Sequence, residues 1–179
     1  FSDDVFRSGN RYDEVLIAYG VLTDQARAEG DKKYRESQIQ TNFTSTVEWM
    51  EASVQHFALH DKGNMVVLGS VAGDRGRMSN YIYGTCKAAV EVYTEGLQHR
   101  FGKNKDINIL LVKPGFVDTP MTANITKKGS LWAKSDKIAD DVVCAIKRKK
   151  RVIYTPWFWF WIMLIIRNLP AVIFEKTRL

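Results

Sequence analysis

Cysteine is scarce. Cys86 and Cys144 lie far apart without the short spacing of a metal site, so they read as reduced intracellular thiols. Histidine is nearly as scarce. His56 and His60 have a His-x-x-x-His spacing that can grip zinc, but Phe57 stands where the metalloprotease motif needs its glutamate, and His99 is alone. No metal site is expected. The net charge of +6 is modest, and much of it lies in Lys147-Arg148-Lys149-Lys150-Arg151, which reads as a solvated helix end favoured by the helix dipole. No nucleic-acid partner is therefore inferred. The chain has no internal repeat, no low-complexity segment beyond that run, and no signal peptide at its start, which opens at Phe1. It also has no Gly-x-x-x-Gly-x-Gly turn before its first strand. A bilayer span needs about 20 apolar residues. The longest apolar run is Trp157 to Ile166, ten residues.

What is present reads as one globular domain: 179 residues, 45% hydrophobic and 26% charged, enough to bury a sizeable core. Phe1 to Asp13 is polar and irregular. Val15-Leu16-Ile17-Ala18 reads as a short strand ending in Tyr19-Gly20, and Val21 to Lys32 as a loop. Tyr34 to His60 reads as a long helix whose core face is Ile39, Phe43, Val47, Met50, Val54 and Phe57. Asn64 to Leu68 and Ile107 to Val112 are apolar runs of the kind buried in parallel sheets. Ser135 reads as the N-cap of a helix through Ile146 with Ile138, Val142 and Val143 inward, and Val152 to Tyr154 as the last strand.

The chemistry concentrates in Asn64 to Lys87. Gly69 stops the strand, so Ser70 sits at the carboxyl end, where open α/β sheets place their ligand crevice. A loop containing Gly73, Gly76, Ser79 and Asn80 follows. Tyr83 and Lys87 then stand four residues apart on one helix face. A tyrosine holds its proton to about pH 10 unless a cation stabilises the phenolate, and Lys87 is placed to do so. With Ser70 hydrogen-bonding a substrate oxygen, the set suits proton transfer to a carbonyl as hydride arrives, or the reverse.

These residues resemble the short-chain dehydrogenase/reductase family, whose pattern is a serine with a Tyr-x-x-x-Lys thirteen residues on. Ser70 and Tyr83 have that separation. The family's asparagine, some twenty-eight residues before the serine, corresponds to Asn42, and its Pro-Gly pair and following threonine correspond to Pro114, Gly115, Val117 and Thr119 in KPGFVDTPM. The resemblance implies a Rossmann-type α/β fold with a doubly wound parallel sheet, present here as strands four to seven, the first three being expected before Phe1. It implies NAD or NADP as cofactor, bound through Gly20, Tyr83, Lys87, Pro114, Gly115, Val117 and Thr119. The catalytic set would be Asn42, Ser70, Tyr83 and Lys87, with Asn42 positioning a water. Gly20 follows Ala18-Tyr19 where the family has Asn-Ala-Gly, so the first asparagine is missing. Without the glycine-rich turn, the chain as given is not expected to hold a dinucleotide in the usual way. Thr119 to Lys134 corresponds to the family's lid, making Met121, Ile125 and Trp132 candidate substrate contacts. The family also implies a homo-oligomer paired through the helices holding Asn42 and Tyr83, and a cytoplasmic location. The sequons at Asn42 and Asn124 are accordingly discounted.

Residues 1–156 form the expected reductase domain and 157–179 an apolar tail. The tail's tryptophans beside a basic cluster fit a segment lying in the membrane interface at the inner face, and a terminal helix packed on the domain is the alternative. Within the family, AYGVLTDQ, the Gly69–Ala88 stretch and the tail resemble reductases of polyprenylphosphoryl 2-ketopentoses, cell-wall precursors, which work with a flavin-dependent oxidase partner. This implies a lipid-linked ketone as substrate. A steroid, retinoid or long acyl ketone remains an alternative, as does a catalytically silent binding protein of the same fold.

Overall fold

The computed structural model describes residues 2–7, 10–123, 125 and 129–177. A short helix, α1 (Ser2–Arg7), precedes β1 (Glu14–Ile17), and α2 (Gln25–Gly30) and α3 (Lys32–Ile39) follow. One π-helical turn, Gln40–Thr44, joins α3 to α4 (Ser45–His60). β2 (Gly63–Leu68) leads through a 3-10 turn into α5 (Tyr81–Arg100). Then come β3 (Ile107–Pro114), β4 (Phe116–Asp118), β5 (Trp132–Lys134), α6 (Ser135–Lys147), β6 (Val152–Thr155), α7 (Trp159–Asn168) and α8 (Ala171–Phe174).

The main sheet has the order β1-β2-β3-β6, with every neighbouring pair parallel. Alternation along the strands divides the core. Met65, Val67, Ile107 and Ile109 face α4 and α5, where Met50, Val54, Phe57, Val90 and Leu97 pack. Val66, Leu110 and Val112 face α6, where Ile138, Val142 and Ala145 pack. Parallel strands joined by helices on both faces give the expected Rossmann-like architecture. All main-sheet strands therefore point their carboxyl ends the same way, which gathers the site residues at one edge.

Several local expectations are corrected. Within the stretch expected to be irregular, Ser2–Arg7 is helical, because Phe6 has an aromatic pocket formed by Tyr12, Trp49 and His56. The expected loop from Val21 contains α2, started by Asp24 accepting from the Arg27 amide, and α3 begins early because Asp31 caps Tyr34. Ile39 is exposed, whereas Met50, Val54 and Phe57 are fully buried. The π turn between them shifts the helical phase, so a single stripe cannot run through both halves. Ser135 is the first residue of α6 and Lys134 holds the cap position without a capping side chain; Val143 falls off the buried stripe and is exposed.

The tail folds as two short helices broken at Pro170. α7 buries Trp159 and Met163, one turn apart, against Val71, while Trp157, Phe160, Trp161, Leu164 and Ile165 are exposed. No helix among the described residues is long and apolar enough to cross a membrane. The basic run and the aromatic segment lie at opposite ends of β6. Four strand residues separate them by about 13 Å, beyond the screening length of about 8 Å, so the two do not form one patch.

Candidate active site

Ser70 leaves β2 in extended conformation, held by the Gly69 amide donating to the Val112 carbonyl at 2.8 Å. Its hydroxyl accepts from the Ala72 amide at 3.1 Å, which starts the 3-10 turn Val71–Gly73. That turn lies directly on α5. A β-carbon on Gly73 would stand 2.9 Å from the Ala88 nitrogen, and one on Gly84 2.8 Å from the Ala72 oxygen. Two missing side chains thus let the Ser70 loop approach the helix that carries Tyr83 and Lys87.

Tyr83 and Lys87 are both buried one turn apart. Burial raises the Tyr83 pKa, and a hydrogen bond with Ser70 opposes it. Burial also brings Lys87 down to about 8, with a smaller opposing influence from Cys86. The Lys87 ammonium donates to the Leu68 carbonyl at 2.9 Å and lies 5.8 Å from the Tyr83 ring centroid. The ammonium thus lies near the phenol ring while it donates to a carbonyl, and the hydrogen bond that opposes the rise in Tyr83 is that with Ser70. A protonated phenol beside a hydroxyl is set to donate.

Asn42 is fully buried in the π turn, and both ends of its amide are taken by one residue. The Val21 amide donates to Asn42 Oδ1 at 2.9 Å, and Asn42 Nδ2 donates to the Val21 carbonyl at 3.0 Å. Asn42 thereby fixes the chain just past β1. Neighbouring Gly20 is so close that a β-carbon there would lie 3.0 Å from Asn42 Oδ1 and 3.7 Å from Lys87 Nζ. A side chain at 20 would intrude between the asparagine and the lysine.

The third wall comes from the end of β3. Pro114, Gly115, Val117 and Thr119 line the same cavity as Gly20, Ser70, Tyr83 and Lys87, a space of about 800 Å³. Thr122 braces this wall by donating to the Val117 carbonyl at 2.6 Å. Gly115 is constrained from outside the cavity: a β-carbon would lie 1.9 Å from the Trp159 indole nitrogen. Met121 and Ile125 line the cavity as expected. Trp132 does not; it stacks on the cavity residue Phe116 at 5.2 Å, because β4 and β5 pair side by side. Asn124 of the same segment is outside the described residues.

The Ser70 loop is also tied to the rest of the molecule. Asp74 is paired with Lys113, which also holds Glu91, and Asp74 accepts from the Tyr154 hydroxyl at 2.9 Å. Arg75 donates to the Leu169 carbonyl at 2.7 Å and stacks on Phe174 at 3.8 Å, joining the loop to α7 and α8. Sequence reasoning passed over these residues, although a lysine inside the apolar run of β3 signals a buried ion pair. Arg77 and Phe116, which line the cavity, were also missed, and neither belongs to a spaced motif. Among the described residues no cluster could hold a metal, and His56 accepts from the Tyr12 amide at 3.1 Å.

The cavity can be tested for a nicotinamide. Gly20 leaves a cradle between Asn42 and Lys87, and the buried donors Tyr83 and Lys87 face it, which fits the nicotinamide-ribose end of a dinucleotide. The glycine-rich pyrophosphate turn is not among these 179 residues.

An uncharacterized oxidoreductase of Mycobacterium tuberculosis is 30% identical over 162 residues, covering 90% of this chain and 64% of its own length. The chain thus spans about two thirds of that relative. A short-chain dehydrogenase from Sphingobium yanoikuyae, solved with NADPH, superposes with a TM-score of 0.79 at 19% identity, covering 95% of this chain and 70% of that one. The bulky-bulky ketone specific alcohol dehydrogenase from Comamonas testosteroni superposes at 0.77 and 21% identity, covering 99% and 68%. These two likenesses carry the fold. A family model, short chain dehydrogenase, matches residues 11–130, a span containing every expected catalytic and cofactor-binding residue, and the chain belongs to that family.

Proposed function

We propose that this chain carries the reaction centre of an NAD(P)-dependent reductase acting on the ketone of a lipid-linked sugar, such as a polyprenylphosphoryl 2-ketopentose. The observation that carries the reading is the convergence of Ser70, Tyr83 and Lys87, two of them buried, on one cavity with Gly20 and Pro114–Thr119. The cofactor, when bound, supplies the hydride. The residues do the rest. Ser70 donates to the carbonyl oxygen and polarises it. Tyr83, kept protonated by its burial, delivers its proton to that oxygen as the carbon is reduced. Lys87 holds a positive charge under the phenol and a ribose hydroxyl. Asn42 keeps Val21 and Gly20 in place against the ring.

The apolar lining from Met121, Ile125 and Ile138 supports a substrate with a hydrocarbon portion. The exposed aromatic face of α7 supports a peripheral membrane contact, with Arg167 as the cation in the last turn of that helix. A flavin-dependent oxidase that makes the ketone belongs to the same proposal, as does pairing of copies through α4 and α5, where Leu59 and Val92 are exposed. The test is turnover by the full-length protein on a farnesylphosphoryl 2-ketopentose against a steroid, a retinoid and a long acyl ketone. Preference for the sugar ketone by at least tenfold in kcat/KM, about 1.4 kcal/mol, is expected. A steroid or retinoid turned over equally well would remove the lipid-linked sugar from the account.

A further inference from the structure

The loop between Ser70 and Tyr83 brings to the cavity a guanidinium and an amide that the reaction above does not use. Arg77 and Asn80 line the same space as Ser70 and Tyr83. Arg77 Nε is buried and makes no hydrogen bond, and the same holds for Asn80 Oδ1. Asn80 stands at the N-cap position of α5 but makes no capping hydrogen bond, so its amide is not committed to the helix. The nearest candidate counter-charge for Arg77 is Asp74, three residues earlier. That carboxylate is already committed to Lys113 and Tyr154.

A buried polar group without a hydrogen bond is costly, and more so when it is charged. Burial pulls the Arg77 pKa down and Asp74 opposes this, but a guanidinium stays protonated in proteins. What would complete Arg77 is an acceptor bearing negative charge, and what would complete Asn80 Oδ1 is a donor such as a hydroxyl. Arginine's planar fork matches the paired oxygens of phosphate or carboxylate. Position separates this group from the cofactor cradle: Gly20 and Lys87 flank the nicotinamide-ribose side, whereas Arg77 and Asn80 lie on the loop that presents Ser70 to the carbonyl.

We propose that Arg77 binds a phosphoryl group carried by the ketone substrate near its reacting carbonyl, with Asn80 Oδ1 accepting from a hydroxyl of the same substrate. This rests on the reductase reading for the place of the carbonyl, and it deepens that reading. Charge recognition by the Ser70 loop is then combined, in one cavity, with the apolar lining of Met121, Ile125 and Ile138. An amphiphilic phosphate ester satisfies both. Steroids and retinoids satisfy only the second.

The experiment is a tryptophan-fluorescence titration of the full-length protein with farnesyl phosphate and farnesol, and in parallel with NADPH, NADH and inorganic phosphate. Farnesyl phosphate is expected to bind about 30-fold or more tightly than farnesol. Arg77→Met and Arg77→Gln should each bring farnesyl phosphate down to the affinity of farnesol, with both cofactors unchanged, and Arg77→Lys should restore part of the difference. Three results would overturn the proposal: no preference in the wild type, a preference that survives both neutral variants, or a loss confined to NADPH, which would give Arg77 to the cofactor. Inorganic phosphate binding as tightly as farnesyl phosphate would also overturn it, by assigning the site to the free ion. The readout is binding, so the two readings fail separately. A protein that keeps the preference but reduces no ketone sustains Arg77 and removes the reductase. One that reduces ketones without the preference does the opposite.

Discussion

Tyr83→Phe is expected to lower the reductive turnover of the full-length protein by about a hundred- to ten-thousand-fold, with NADH and NADPH affinities nearly unchanged. The ring packs under the Ser70 turn and stays when the hydroxyl goes, so the fold loses little. The proton donor is what disappears. Ser70 would still polarise the oxygen, so a residual rate is expected. The wild-type rate should also carry the signature of Lys87. Its pKa lies near 8, so the ammonium discharges as pH rises through that value, and the reductive rate should fall on the alkaline side. The stability consequence has the opposite sign. A lysine whose folded pKa is depressed penalises folding while it is charged, so this penalty is relieved as pH climbs from about 8 towards the ordinary lysine value. Turnover and stability measured against pH should therefore diverge above about 8. A rate that keeps rising there would remove Lys87's charge from the mechanism.

Lys113→Met is expected to destabilise the protein by about 3–5 kcal/mol, the usual cost of breaking a buried pair by removing one partner. Lys113 is 1% exposed inside β3, and it faces the wholly buried Asp74 carboxylate and the partly exposed Glu91. The substitution leaves Asp74 buried with the Tyr154 hydroxyl as hydrogen-bond donor and without its close cation. Burial lowers the Lys113 pKa, but hydrogen bonds and charge from Asp74 and Glu91 outweigh it and leave it raised. A raised folded pKa means the pair's contribution is fully present below the ordinary lysine value and is lost as pH climbs through the higher folded value. Chemical denaturation of wild type and variant should thus differ most at neutral pH and converge in strong alkali. Asp74 also belongs to the Ser70 loop, so Lys113→Met should slow turnover under conditions where the variant is still folded. An unchanged denaturation midpoint would show that the ion cluster contributes nothing net.

The convergence of Ser70, Tyr83 and Lys87 on one cavity was readable in the sequence because these residues keep local spacing. Ser70 follows a strand end, and Tyr83 and Lys87 share a helix face, so short-range geometry settles their meeting. The sheet was readable for a related reason: parallel strands buried on both faces are continuous apolar runs. What escaped the sequence depends on long-range partners. Asp74 and Lys113 meet only because β3 lies beside the Ser70 loop, and Arg75 finds acceptors in α7, more than ninety residues away. Trp132 looked like a lid residue until β5 paired with β4 and turned its ring onto Phe116. Ile39 lost its place in the core to a π turn, which composition does not announce. The basic run looked adjacent to the aromatic tail because they are close in sequence, but a strand carries them to opposite ends of the sheet edge.

The most direct test of a nicotinamide-dependent carbonyl-reducing centre is to follow the hydride itself. The full-length protein would be incubated with NADH or NADPH deuterated at the hydride position and with a farnesylphosphoryl 2-ketopentose. The alcohol product would then be analysed for deuterium by mass spectrometry. The account predicts one deuterium on the former carbonyl carbon, with the product nearly absent for Tyr83→Phe. Alcohol formed without deuterium, or formed at the wild-type rate by Tyr83→Phe, would contradict it.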